Sequence, residues 1–305
     1  MQTHLVAVDI GGSKMSFLAR EAESGLDVYA DKIRTPADDG VEAILAILDE
    51  EIGAMPGGGG AMRALGLAVP GPVDSQGRVL RAGNLEGWVD VPLRALLEKR
   101  YGVPVFVERD SNCGALGEKW CGAATGMDSF VFLALGTGVG AGLFLDGQLY
   151  RGAHFASGEV GELTFFRGEK RKNLSEIVGK QAIKKRVSRA TGKKLNAAEA
   201  LMWARRKRRF ARATQPVIEH LTAAVVAITV LLDPQAIIFG GGTSEAGAAL
   251  LSRMHKEVRE YLENPPRLMP ANLRGDAQLY GALWGAIASA RASMNGVTIE
   301  SSQSG

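Results

Sequence analysis

The 305-residue sequence is poor in cysteine, with only Cys113 and Cys121, and has four histidines. Two unpaired cysteines exclude a disulfide scaffold and make a reducing compartment, the cytoplasm, the expected location. Aromatic residues make up 6% of the chain, against 46% hydrophobic and 23% charged. These are the proportions of an ordinary globular protein and exclude a disordered or collagen-like chain. Long hydrophobic runs are also missing. The longest, Leu221 to Leu232, lies between His220 and Asp233, short of the roughly 20 residues that span a bilayer. No apolar leader opens the sequence, so no membrane partner is expected. There is no GxxxxGK[ST] pattern, which excludes a Walker phosphate loop.

Net charge is small, +3, but unevenly spread. Between Arg167 and Arg212 there are 17 Lys and Arg against three acids, Glu169, Glu176 and Glu199, leaving the rest of the chain acidic. A basic segment on an acidic body fits a polyanion partner such as nucleic acid, or else a solvated helical face, which is the commoner meaning of a charge run.

At about 150 residues per domain, the length predicts two domains, each able to bury a core. Leu5 to Ile10 reads as a strand broken by Gly11-Gly12 and resumed by Met15 to Ala19. Val41 to Ile52 has helical spacing, Ala64 to Val69 is a third strand, Pro92 to Arg100 a helix, and Val103 to Glu108 a strand leading into a helix from Asn112. Phe130 to Leu135 is again a strand, followed by Gly136 to Gly140, a returning strand Ala141 to Leu145, and Gln148 to Tyr150. This second strand–glycine turn–strand unit repeats the first and predicts two similar α/β halves. The basic segment is expected to be mainly helical. Pro216 to Leu232 is expected as a buried helix, Ala236 to Phe239 as a strand, Asp276 to Met294 as a last helix, and Asn295 to Gly305 as a frayed tail.

Three glycine turns follow apolar strands directly: Gly11-Gly12-Ser13-Lys14, Gly136-Thr137-Gly138 and Gly240-Gly241-Gly242. Glycine there lets main-chain N–H groups approach a phosphate chain, with Ser13, Lys14 and Thr137 adding donors. Because Gly136 to Gly140 runs into a strand and not a helix, a kinase-like or ATPase-like site is favoured over a dinucleotide fold. Asp110 stands at a strand end, where a helix cap or a base for an acceptor hydroxyl is expected. Asn84, Glu159, Glu162 and Glu176 are candidate hydroxyl-binding groups, though each taken singly is an ordinary surface residue type.

The motifs Asp9-Ile-Gly-Gly-Ser-Lys14, Val69-Pro-Gly-Pro-Val-Asp74, Gly83-Asn-Leu-x-Gly-Trp88, Glu108-x-Asp-x-Asn112, Leu135-Gly-Thr-Gly-Val-Gly-Ala-Gly142, Gly158-Glu-Val-Gly161 and Ile238-Phe-Gly-Gly-Gly242 occur in that order. In this the chain resembles the ROK family of bacterial sugar kinases and repressors, over about residues 4 to 290. The resemblance implies the actin-like, ribonuclease H-type ATPase fold. It would comprise an N-terminal α/β domain over residues 1–118, with helix 276–294 packing back on it, and a second α/β domain over 119–275, with a sugar cleft between them. It further implies ATP and Mg²⁺, with Asp110 as the general base and Asp9 organising the magnesium through water. Gly11, Gly12, Ser13 and Lys14, together with Gly136, Thr137 and Gly138, would hold phosphates, and Gly240, Gly241 and Gly242 would lie along the adenosine. Asn84, Glu159 and Glu176 would bind ring hydroxyls. A homodimer is implied as well. Family repressors carry a DNA-binding domain before the first phosphate turn, and the position of Asp9 leaves no room for one, so the enzyme reading and the absence of a nucleic-acid partner are the expectation.

Two departures set this chain apart from the resemblance. Glu162 stands where the family commonly has His, and Arg167 to Ser175 lacks the cysteine run that follows, so no structural zinc is expected. Arg109 stands where an Asn beside the base contacts the sugar. A guanidinium has no acceptor, so Arg109 either salt-bridges a neighbour such as Glu108 or Glu118 or meets a different substrate. The expected acceptor is the terminal hydroxyl of a hexose, in the manner of a glucokinase, with an amino sugar or N-acylated hexosamine, mannose, fructose and a cyclitol as alternatives. Inorganic polyphosphate is a second possible donor, and a weakly active sugar-sensing or nucleic-acid-associated protein is the rival from another class.

Overall fold

The computed structural model describes residues 3–295, so the expected tail lies, from residue 296, outside the described residues. The chain divides into two units, one made of the residues up to Trp120 together with those from Gln278, the other of Cys121–Ala277.

In the first unit β1 (His4–Ile10), β2 (Lys14–Glu21) and β3 (Asp27–Arg34) form an antiparallel meander. Next come α1 (Gly40–Ala54), β4 (Met62–Val69), a ribbon of β5 (Val79–Arg81) and β6 (Val89–Val91), α2 (Leu93–Tyr101), β7 (Val105–Arg109) and α3 (Asp110–Cys121). The sheet order is β3-β2-β1-β4-β7, with β1, β4 and β7 parallel. In the second unit β8 (Phe130–Leu135), β9 (Val139–Leu145) and β10 (Gln148–Tyr150) make the same meander. The hairpin β11 (Thr164–Arg167) and β12 (Lys170–Asn173) follows, then α4 (Leu174–Val178), α5 (Lys180–Thr191), α6 (Ala197–Ala204), α7 (Arg208–Leu232), β13 (Ala236–Gly240), α8 (Ala248–Val258) and β14 (Arg267–Pro270). Its sheet order is β10-β9-β8-β13-β14, with β8, β13 and β14 parallel. The two sheets therefore share one topology, as the repeated strand–turn–strand pattern implied.

The central strands are mostly apolar because both sheet faces are covered. Val6, Val8 and Ile10 of β1 pack with Ile44 and Leu48 of α1. The alternate residues Leu5 and Ala7 pack with Leu279, Ala282, Leu283 and Ala286 of the last helix, α9 (Ala277–Met294). Small residues set that second contact: a Cβ on Gly66 of β4 would fall 1.9 Å from the Ala282 carbonyl oxygen.

The structure differs from the sequence reading in two places. The basic region is mainly helical, as expected, from α4 into α7, but opens on the hairpin of residues 164–173, with Gly168 at a positive φ of 59° in its turn. The apolar helix α7 begins at Arg208, eight residues before the expected start, and carries Pro216 in its interior. With 25 residues, α7 is long and apolar enough to cross a membrane by length and composition. However, Val217, Ile218, Leu221, Ala224 and Val225 are fully buried in the core of the second unit, which makes it a core helix.

Candidate functional site

In the first unit the site residues collect at the carboxyl ends of the parallel strands β1, β4 and β7, where ligands bind in open α/β sheets. Asp9, half-buried, is the last but one residue of β1 and pairs in register with Ala68 of β4. Beyond it the chain turns through Gly11 to Ser13. The Gly11 N–H donates to the Lys14 carbonyl at 2.9 Å, and Thr35 Oγ1 donates to the Gly11 carbonyl at 2.6 Å. The turn is thus braced from one side, with Ser13 and Lys14 exposed. Asn84, distant in sequence, lies against it: a Cβ on Gly12 would fall 2.4 Å from Asn84 Nδ2. Glycine at position 12 is the condition for this approach.

Asp110 follows β7 as the first residue of α3, so it is part of the helix and not a cap before it. Its Oδ1 accepts the Ser111 N–H at 2.6 Å, and an acid in a first helical turn is favoured by the helix dipole. Behind it Glu108 Oε1 accepts both the Arg109 N–H and Asn112 Nδ2, each at 2.9 Å. Arg109, 2% exposed, is buried, and so are Glu108, Asn112 and Glu118.

In the second unit the Gly136–Gly138 turn joins β8 to β9, with the Gly136 N–H donating to the Gly138 carbonyl at 3.0 Å. The Gly240–Gly242 turn, after β13, lies beside it. A Cβ on Gly241, whose φ is +80°, would sit 2.5 Å from the Leu135 carbonyl oxygen, and that oxygen accepts the Thr243 N–H at 3.1 Å. Two of the three glycine turns are thus neighbours. Glu159 and Glu162, both exposed, flank a turn tied to β9 by the Ala141 N–H donating to the Gly158 carbonyl at 2.7 Å. Glu176 is engaged locally. Its Oε2 accepts the Asn173 N–H, and Asn173 Oδ1 accepts the Glu176 N–H, each at 2.9 Å, closing a capping box on α4. Asn173 Nδ2 also donates to Glu162 Oε2 at 3.3 Å. Arg186 Nη1 donates to the Ile177 carbonyl at 3.1 Å near the far end of α4, and burial pushes the pKa of its guanidinium down.

Two features were invisible to sequence reasoning. One is Ser175, which sits behind the Gly136–Gly138 turn and accepts the Val139 N–H at 3.0 Å. The other is a cavity of about 660 Å³ just beyond the Gly240–Gly242 turn, lined by Met202 and Trp203 of α6, Arg205, Arg206, Ala246 and Ala249. The only sequence signal for it was two large apolar residues, Met202 and Trp203, inside a basic stretch.

Four buried side-chain atoms have no hydrogen-bond partner and fall beside these motifs: Trp88 Nε1 after the Asn84 loop, Ser111 Oγ and Asn112 Oδ1 beside Asp110, and Thr243 Oγ1 after Gly242.

The chain is 30% identical over 287 residues to a glucokinase from Thermotoga maritima, covering 85% of this chain and 88% of that one. It is 41% identical over 125 residues to a putative xylose repressor from Caldicellulosiruptor sp. (strain Rt8B.4), covering 41% of this chain but only 31% of the repressor. A solved ROK family glucokinase from Streptomyces griseus, in complex with glucose and AMPPNP, superposes with a TM-score of 0.76 at 26% identity, covering 93% of this chain and 99% of that one. The model of the ROK family matches residues 5–289, nearly all of both units with their paired glycine turns, and the chain belongs to that family.

Proposed function

We propose that the protein is an ATP-dependent hexose kinase of the glucokinase type, transferring the γ-phosphate to the terminal hydroxyl of a hexose. The observation that carries this reading is that Asp9 with the Gly11–Lys14 turn and Asp110 lie at the carboxyl ends of parallel strands of one sheet, with Asn84 lying against Gly12. In this reading a carboxylate base and a sugar-binding amide serve the same end of the sheet as a phosphate-binding turn.

In this reading the Asp110 carboxylate takes the proton of the acceptor hydroxyl as its oxygen bonds to the γ-phosphorus, and the bond to the β–γ bridging oxygen breaks to release ADP. Main-chain N–H groups of Gly11 to Lys14 and of Gly136 to Gly138, with the Lys14 ammonium, stabilise the phosphate oxygens. The carboxylate of Asp9 is a hard oxygen donor suited to Mg²⁺, held through water, and the ion would neutralise phosphate charge. Gly240 to Gly242 and the cavity beside Trp203 receive the adenosine end. Asn84, Glu159, Glu162 and Glu176 serve the sugar, with Glu176 limited to the carboxylate oxygen not engaged in its capping box. The protein works as a cytoplasmic homodimer without structural zinc, and metal analysis finding one tightly held zinc per chain would contradict that last point.

The test is a coupled assay over hexoses, amino sugars and cyclitols, with ATP and polyphosphate as alternative donors. Asp110→Ala should abolish transfer while leaving sugar affinity within about twofold, because positioning and proton removal are separate functions. Near wild-type turnover in that variant would remove Asp110 from the role of base. The repressor relative supports a second reading, a sugar sensor that contacts nucleic acid through its basic surface. Absence of turnover on every sugar, with DNA binding that weakens steeply with salt, would favour it.

A further inference from the structure

The Ser175 hydroxyl stands where three segments of the second unit meet. It accepts the Val139 N–H at 3.0 Å at the end of the glycine turn. A Cβ on Gly138 would come 3.1 Å from Ser175 Oγ, and a Cβ on Gly161 would come 2.4 Å from it and 2.3 Å from the Val139 carbonyl oxygen. Glycine at 138 and 161 is what lets both turns close on this one hydroxyl.

The chain after Ser175 completes the brace. The Gly179 N–H donates to the Ser175 carbonyl at 2.9 Å, and the Lys180 N–H donates to the Gly136 carbonyl at 3.0 Å. A Cβ on Gly179 would meet the Thr137 carbonyl oxygen at 2.4 Å. Contacts from residues 175–180 thus reach every residue of the turn from Gly136 to Val139. Two residues earlier, Asn173 donates to Glu162 on the Gly158–Gly161 side.

We infer that Ser175 is a positioning residue for the phosphate donor. Its hydroxyl, by taking up the Val139 N–H, fixes the Gly136–Val139 turn so that the amides of Thr137 and Gly138 face the donor. Asn173 does the corresponding work for Glu162 on the acceptor side. This rests on the kinase reading and adds to it a division of labour within one short segment: Ser175 governs the donor and Asn173 the acceptor.

The experiment compares wild type, Ser175→Ala, Ser175→Cys and Asn173→Ala in the full chain. The readouts are KM and kcat for ATP and sugar, equilibrium binding of a non-hydrolysable ATP analogue with Mg²⁺, and the thermal midpoint. Removing one hydrogen bond should weaken analogue binding and raise KM for ATP in Ser175→Ala by about five- to tenfold. Sugar KM should stay within about twofold of wild type and the midpoint within about 3 °C. Ser175→Cys, which keeps a weak acceptor, should fall between the two. Asn173→Ala, which also removes the cap of α4, should raise the sugar KM by more than the ATP KM, and an unchanged sugar KM would remove Asn173 from the acceptor side.

Unchanged analogue affinity in Ser175→Ala overturns the inference. So does an equal loss for ATP and sugar with a lowered midpoint, which would mean a structural role only. Failure of the wild type itself to bind the analogue or turn over any sugar overturns the kinase reading and the inference with it.

Discussion

Replacing Gly281 by alanine tests the packing of the first unit at its tightest point. A Cβ at Gly281 of α9 would stand 1.8 Å from the Cys113 carbonyl oxygen and 2.5 Å from its carbon, where real Cβ contacts essentially never fall below 3.0 Å. The obstacle is backbone inside α3, which cannot swing aside as a side-chain end can. Relief requires α9 to withdraw by about 1 Å, and the same helix is held against Phe106 at Gly285 and against Gly66 at Ala282. Overpacking of this kind costs roughly 1–3 kcal/mol, and a gap of about 1 Å across the remaining contacts forfeits a quarter to a half of their dispersion energy. We expect a loss of about 3 kcal/mol, which for a unit of this size lowers the melting temperature by roughly 6–12 °C. The control is Gly53→Ala near the end of α1, where nothing lies within 4 Å of the new methyl. There alanine should stabilise by about 0.5–1 kcal/mol through backbone entropy alone. Thermal and urea unfolding read both. If Gly281→Ala melts with the wild type, α9 is not seated on α3 as described.

Further outcomes follow from the same geometry. Gly12→Ala should raise the sugar KM more than the ATP KM, because its methyl displaces the Asn84 side chain and leaves the main chain in place; an unchanged sugar KM would detach Asn84 from the acceptor. The Arg100 guanidinium, by hydrogen bonding to Asp49, holds that carboxyl below its ordinary range, with Tyr101 Oη adding a hydrogen bond at 2.9 Å. A lowered folded-state pKa stabilises above the ordinary carboxylate pKa and is lost as pH falls below it. Asp49→Asn should therefore flatten the fall of melting temperature as pH drops below about 4, and an unaltered slope would count against the pair. Tyr29, which donates to Glu51 Oε2 at 2.7 Å, has its pKa pushed up to about 12, and Tyr101 is raised by burial and Asp49. Ultraviolet difference titration of wild type against Tyr29→Phe and Tyr101→Phe should show both phenols ionising above the ordinary tyrosine pKa. Stability contributed by these phenols is present below about pH 10 and lost above it; ionisation of Tyr29 and Tyr101 at the ordinary phenol pKa would contradict both hydrogen bonds.

Much of this protein was legible in its sequence. Apolar strands ending in glycine turns, repeated once, gave two sheets of one topology, because strand, turn and returning strand are local and carry their own period. The ordered motifs carried the family. Even the cap on α4 was written as Asn173-x-x-Glu176, a local pattern that accounts for one oxygen of a carboxylate otherwise read only as a sugar ligand. The basic stretch was legible as charge but not as shape: part of it is a hairpin, and part lines the cavity beside Trp203.

Composition and periodicity by themselves determined the two α/β halves, the glycine turns and the acid at the end of β7. Only the tertiary structure decided which of these meet. Asn84 reaches Gly12, and Ser175 reaches Val139, across separations that no local period links. Each meeting depends on a glycine whose missing side chain leaves room for a partner supplied from elsewhere in the chain. A sequence shows where such room exists, but which atom occupies it is settled by how whole elements pack.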